Sequence, residues 1–91
     1  MIWRQVRAKV LARRGEHAEA ERLAREAVAI GEGTDSLVGQ GDANADLAEV
    51  LLLAGKRDEA ATALRRALER YERKGHVVLA ERMRERLAES D

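Results

Sequence analysis

Apolar residues recur along this chain at helical spacing, and glycines interrupt them at intervals. Trp3, Val6 and Val10 fall at i, i+3 and i+7, one stripe of a helix. Gly15 predicts its end, because glycine takes the positive φ of a helix terminus without a Cβ penalty. Ala20, Leu23, Ala24, Ala27 and Val28 make a second stripe, closed by Gly31 and Gly33. Thr34, Asp35 and Ser36 are all competent N-caps for a third helix whose inward residues read as Leu47, Ala48, Leu51 and Leu52. Gly55 turns the chain again. Asp58 helps to start a fourth helix with Ala60, Leu64, Ala67, Leu68 and Tyr71 inward, and Gly75 ends it. Ala80, Met83 and Leu87 form the stripe of a fifth. The pattern predicts an all-α fold of about five helices.

The pattern also repeats. An offset of 40 residues, from Gly15 to Gly55, superimposes Ala8 on Ala48, Leu11 on Leu51, Glu19-Ala20 on Glu59-Ala60 and Ala27 on Ala67. Each unit reads as helix, glycine turn, helix, and connections this short force antiparallel neighbours. Ala8 facing Ala20, and Ala48 facing Ala60, are the expected crossing points, where small side chains let two backbones approach. The organisation expected is one domain over residues 1–91: a first unit at 1–33, a second at 34–74, and a partial third unit or capping helix at 76–91.

These residues resemble the tetratricopeptide repeat (TPR). That family has a small residue in the middle of helix A, a glycine closing it, Glu-Ala early in helix B and a small-apolar pair further on. Here the pattern is carried by Ala8, Gly15, Glu19-Ala20 and Ala27-Val28, then by Ala48, Gly55, Glu59-Ala60 and Ala67-Leu68. The resemblance spans nearly the whole chain. It departs from the common form in three ways. The repeat is longer than the usual length of about 34 residues, the helix-ending proline is absent, and Leu and Ala replace most of the aromatics. The long form is similar to TPR arrays at the C-termini of large bacterial regulators that carry an ATPase, cyclase or transcription-factor domain upstream. The stretch LAEVLLLAGKRDEAATALRRALERYERKG is much like those arrays. The resemblance implies a right-handed solenoid that binds a protein or peptide in a groove lined by helix A. Its groove positions fall on Gln5, Lys9 and Arg13 in the first unit and on Asp42, Ala45, Glu49 and Leu52 in the second. One wall of that groove is basic and the other acidic. The family's clamp for C-terminal carboxylates is not expected, since Lys9 stands where that clamp has Asn and Glu49 adds negative charge.

Charge and composition narrow the function. Net charge is zero, which gives no electrostatic case for nucleic acid. Charged residues make up 37% of the chain with their signs interspersed, the pattern of solvated helix faces. The absence of cysteine rules out disulfides and thiolate metal sites. No apolar run reaches the roughly 18 residues of a membrane span, and MIWRQVRAKVLARRG is charged throughout, unlike a signal peptide. The expected location is the cytoplasm of a bacterium, without membrane attachment. His17 and His76 lie in different units with no second His or Cys at ligand spacing, and read as surface residues. Ser36 and Ser90 have no triad partners. Gly31-Glu-Gly33 and Gly39-Gln-Gly41 lack the strand and the Gly-Lys-Ser/Thr of a phosphate loop. No catalytic residue, metal or cofactor is therefore expected, and the chain reads as a non-enzyme.

Three features leave alternatives open. Gly39 and Gly41 lie inside the third helix, where each costs roughly 1 kcal/mol relative to Ala. Either that end frays, so that Ala at both positions stabilises, or a partner or neighbouring helix approaches closely there. Trp3 either packs on the second helix or anchors an interface. Finally, aligning the two units starts the first helix ahead of Met1, as if it were cut short. Trp3, Val6 and Val10 at one end, with Leu79, Met83 and Leu87 at the other, are then expected to stay partly uncovered. Such stripes invite a homodimer or a domain-swapped form.

Overall fold

The computed structural model describes residues 3–89. They form α1 (Trp3–Arg13), α2 (His17–Glu32), α3 (Leu37–Leu53), α4 (Arg57–Lys74) and α5 (Val77–Glu89), with no strand among the described residues. Successive helices pack side by side, and α1 also touches α3. The result is a slab of 35 × 31 × 16 Å.

The turns follow from glycine. Gly15, Gly55 and Gly75 take φ of +84°, +79° and +80°. At each, the amide of the next residue reaches back to close the helix: Glu16 N–H donates to the Leu11 carbonyl (3.0 Å), Lys56 N–H to Leu51 (2.9 Å) and His76 N–H to Tyr71 (2.9 Å). Each glycine's own amide bonds three residues back, completing a Schellman cap. The second connection is built differently. α2 runs through Gly31 to Glu32, and Gly33 stays right-handed at φ −80°, so Gly31 lies within the helix and does not close it. The Thr34 hydroxyl donates to the Gly31 carbonyl at 2.7 Å. Of the three candidate caps, Ser36 starts α3, its Oγ accepting from the Gly39 amide at 3.0 Å. Asp58 and Glu59 sit in the first turn of α4, with Arg73 and Lys74 in its last, the arrangement the helix dipole favours.

The alanine crossings are as expected: Ala8, Ala20, Ala48 and Ala60 are all 0% exposed. Other inward residues differ from the expectation. In α3 Leu47, Ala48 and Leu51 are buried as expected, but Val50 is buried as well and Leu52 is exposed. α3 is the central helix, covered on two sides, so its core positions spread round the cylinder and include Gln40, Gly41, Ala43 and Asn44. In α1 the inward residues are Gln5, Ala8, Leu11 and Ala12, while Trp3, Val6 and Val10 point outward. Trp3 therefore does not bury itself on α2; the Arg4 guanidinium lies over its ring, 4.5 Å from the centroid. Met83, expected to stay partly uncovered, is core, whereas Leu79 and Leu87 are partly buried against the core cluster.

Gly41 resolves one of the open alternatives. It is buried inside α3, and a Cβ built on it would stand 2.4 Å from Cε1 of Tyr71. Close approach of α4 is the reason for this glycine, not fraying. The Tyr71 ring fills the space where a side chain would be, and its hydroxyl donates to Asp42 Oδ1 at 2.6 Å. Burial, and then the Asp42 carboxylate, push the phenol pKa far above its ordinary value.

Two outcomes follow. Gly41→Ala lowers the urea unfolding free energy by about 1–3 kcal/mol through overpacking. Gly31→Ala, whose Cβ meets nothing closer than 3.7 Å, leaves stability equal or raises it by up to about 1 kcal/mol. Tyr71 is the one tyrosine of the chain, so the change in ultraviolet absorbance on tyrosinate formation follows it alone. Its folded pKa is raised, so its contribution to stability is complete below the unfolded value of about 10. That contribution is lost as pH climbs beyond it, because the unfolded chain releases the proton first. Tyrosinate absorbance then rises together with loss of the helical circular-dichroism signal, not ahead of it.

Candidate functional site

The face on which α1 meets α3 carries a shallow groove. Gln5, Lys9 and Arg13 recur every four residues along α1 and therefore share a stripe. Asp42, Ala45, Glu49 and Leu52 do the same along α3 at i, i+3, i+7 and i+10. Packing of α1 on α3 brings the two stripes together. A cavity of about 250 Å³ lies between them, lined by Gln5, Val6, Lys9, Asp42, Ala45 and Asp46. A second of about 260 Å³ adjoins it at Gln5 and Asp42 and runs toward Ile30 and Thr34. Of the residues expected to form the groove, Gln5, Lys9, Asp42 and Ala45 line this cavity. Arg13 and Glu49 form the next pair along, 3.9 Å apart, and Leu52 stands exposed beyond them.

Sequence reasoning missed Asp46. It sits one helical turn beyond Asp42, and its Oδ1 accepts from Lys9 Nζ at 3.1 Å. The available signal was the i, i+4 spacing of the two aspartates. The consequence is electrostatic. The α3 wall carries Asp42, Asp46 and Glu49 close together, and Lys9 is the cation that reaches in among them. Burial pushes the Asp46 carboxyl above its usual pKa. The hydrogen bond and charge of Lys9 pull it back, and Glu49 and Asp42 push it up again. Asp42 is fixed from behind by the Tyr71 hydroxyl. Gln5, largely buried, closes the floor.

Polar contacts elsewhere lock the two hairpins together and leave the groove free. Arg70 of α4 donates to Gln40 Oε1 at 2.8 Å and pairs with Glu32 at 2.9 Å, while Gln40 Nε2 donates to the Thr34 carbonyl at 2.7 Å. Lys56 pairs with Glu21 at 2.7 Å and Arg25 bridges to Glu59 at 2.8 Å, tying α2 to α4. The hydrogen bonds from Lys56 and then Arg25 hold the Glu21 carboxyl below the usual range.

The remaining chemistry is sparse. His76 Nδ1 accepts from the Leu79 amide at 3.4 Å at the start of α5, and His17 is half-buried with a buried Nδ1 that has no partner in the structure. Among the described residues no group of His, Cys, Asp and Glu is placed to hold a metal ion. Ser90 lies outside the described residues. None of the helices, over the described residues, is long and apolar enough to cross a membrane.

Lys9→Met leaves Asp46 without its counter-charge and lowers stability near neutral pH by about 1 kcal/mol. Because the folded pKa of Asp46 is then raised further, its contribution is favourable below that pKa and is lost as pH rises through it. The Lys9→Met variant therefore regains stability on acidification relative to a Lys9→Met/Asp46→Asn double variant. Urea midpoints compared between pH 4 and 7 read the difference.

Comparison with known proteins bears on the fold and on this face. A family model described as Tetratricopeptide repeat matches residues 1–73. No curated protein and no solved structure matches the chain. The matched stretch holds both alanine crossings, both glycine turns and both walls of the groove. With paired antiparallel helices repeating at a fixed offset over most of its length, the chain belongs to the tetratricopeptide repeat family.

Proposed function

We propose that the chain is a protein–protein interaction module that seats a peptide segment of its partner in the α1–α3 groove. The observation that carries this reading is the groove itself: a cavity of about 250 Å³ with Gln5 and Ala45 between a wall bearing Lys9 and a wall bearing Asp42 and Asp46. Opposed charges on rigid helices select orientation and register in a bound peptide more than they add raw affinity. Lys9 and Asp46 already satisfy one another, so a bound peptide must offer a carboxylate to Lys9, a cation to the aspartates, or both. The peptide favoured is therefore one of mixed charge with small apolar residues that reach Ala45. Family membership supports the interaction role in general.

The wider setting belongs to the same proposal. The likeness of residues 47–75 to the C-terminal arrays of bacterial regulators supports a regulatory or partner-binding segment of a larger cytoplasmic protein. Membership of the repeat family supports a scaffold role. Self-assembly through both ends, the alternative expectation, is less well supported, because Met83 is core and Leu79 and Leu87 are packed against the core cluster.

Selection from a displayed random-peptide library, followed by amide chemical-shift mapping of the winning peptide, tests the reading. The expected result is shifts concentrated on α1 and α3 around Gln5, Lys9, Ala45 and Asp46. The double charge reversal Lys9→Glu/Arg13→Glu is expected to weaken binding at least about tenfold, or 1.4 kcal/mol, with the helical spectrum unchanged. Peptides that map to α2 and α4, or that bind the reversed variant equally well, overturn it.

A further inference from the structure

The charged residues of the α1–α3 groove pair in register along its two walls. Lys9 Nζ meets Asp46 Oδ1 at 3.1 Å, and one turn on, Arg13 Nη2 stands 3.9 Å from Glu49 Oε2. One turn back, the same register sets Gln5 of α1 against Asp42 of α3, and both line the cavity of about 250 Å³. The rung at that end therefore holds a carboxylate opposite a neutral amide. Among the described residues Asp42 forms no salt bridge, and its partner is the Tyr71 hydroxyl, which donates to Oδ1 at 2.6 Å. Arg86 of α5 is felt at that hydroxyl but makes no ion pair with Asp42.

The nature of this partner matters. A cation would fix the Asp42 carboxylate and cancel its charge, whereas a neutral hydroxyl fixes it and leaves the charge in place. The hydroxyl is itself held firmly. The Tyr71 ring is 1% exposed and fills the space beside Gly41, where a Cβ would come within 2.4 Å of it. Asp42 is exposed at its tip and oriented from behind. A group held in its bound geometry loses little freedom on meeting a ligand.

The surroundings say which ligand group fits. Val6 and Ala45 line the same cavity and offer apolar surface to the stem of a long cationic side chain, which packs its methylenes while its head stays polar. A peptide carboxylate aimed at Lys9 would instead have to displace Asp46 and leave it half-buried without a counter-charge. Carboxylates of the peptide are left Arg13, whose side chain is 70% exposed and only loosely paired.

We propose that Asp42 determines the specificity of the groove by taking a lysine or arginine side chain of the bound peptide, and that Tyr71 is the positioning residue that holds it for that contact. This inference rests on the reading of the α1–α3 face as a peptide site, and adds which charge the peptide brings and where it sits.

Peptides selected from the displayed random library are the probes. Each is made again with norleucine in place of its lysine (citrulline for arginine), which keeps the stem and removes the charge. Among peptides that shift the amides of α1 and α3, the expected result is a lysine or arginine at a common position, with the uncharged form binding at least about tenfold more weakly. Asp42→Asn is expected to bring the two forms to within about twofold of each other. Tyr71→Phe keeps the ring beside Gly41 and removes only the hydroxyl. It is expected to cut the preference for the charged form by at least about threefold, with binding of the uncharged form and the helical spectrum unchanged. In the Asp42→Asn/Tyr71→Phe double variant the preference equals that of Asp42→Asn alone, which a general loosening of the fold would not give. Groove-binding peptides that share no cation, or a preference that survives Asp42→Asn, overturn the inference and leave the groove as a peptide site. A preference unchanged in Tyr71→Phe overturns the positioning role. Peptides that map to other helices, or a library that yields no binder, overturn the groove reading and this inference with it.

Discussion

Everything in this molecule depends on how closely two helices can cross where both carry alanine. Ala8 on Ala20 and Ala48 on Ala60 leave no accessible surface, and at such points backbone, not side chain, sets the separation of the axes. A methyl group buries little area by itself. Its value is that it lets the larger residues on either side, Leu11 and Leu23 in one hairpin and Leu51 and Leu64 in the other, interdigitate at core density. The glycine caps serve the same end. They reverse the chain within a few residues, so the partner helix begins close enough to reach the crossing.

The second unit applies the principle more severely. Between α3 and α4 the crossing uses Ala48 and Ala60, and one turn before Asn44 the small residue is Gly41, with the flat face of Tyr71 in place of its side chain. This contact joins packing to function. The same ring that needs the glycine carries the hydroxyl that fixes Asp42, and Asp42 lines the groove. A residue of α4, on the far side of α3 from α1, thereby sets the position of a charge on the binding face. The price is a helix interior weakened by glycine, which the buried aromatic offsets.

Charge divides the surface in a way that composition conceals. A net charge of zero describes the sum and not the distribution. α1 is basic without exception, and its inward-leaning cations are matched by carboxylates on α2 and α3. The groove-side cations of α1, Lys9 and Arg13, are answered by Asp46 and Glu49 of α3. One helix thus carries paired charges on its groove side and exposed Trp3 and Val10 beyond them.

Much of the architecture was legible in the chain alone. Helix number, the turns at Gly15, Gly55 and Gly75 and the alanine crossings all rest on local periodicity and on the freedom of glycine at positive φ, and neither requires knowledge of distant contacts. The groove positions came from a resemblance, and packing gathered four of the seven into one cavity. What needed the tertiary structure was anything decided by more than one neighbour. Whether Val50 or Leu52 turns inward depends on α3 being covered on two sides. Gly41 is explained only by a ring thirty residues away in α4. Asp46 becomes a groove residue because Lys9 arrives from another helix. Trp3, Val6 and Val10 make a regular apolar stripe, yet the face that α1 buries is the one with Ala8, Leu11 and Ala12, because periodicity does not say which element covers which face. Spacing along one helix fixes which residues share a face. The partner for that face, and the charges it meets, are set by helices far away in sequence, where no local rule applies.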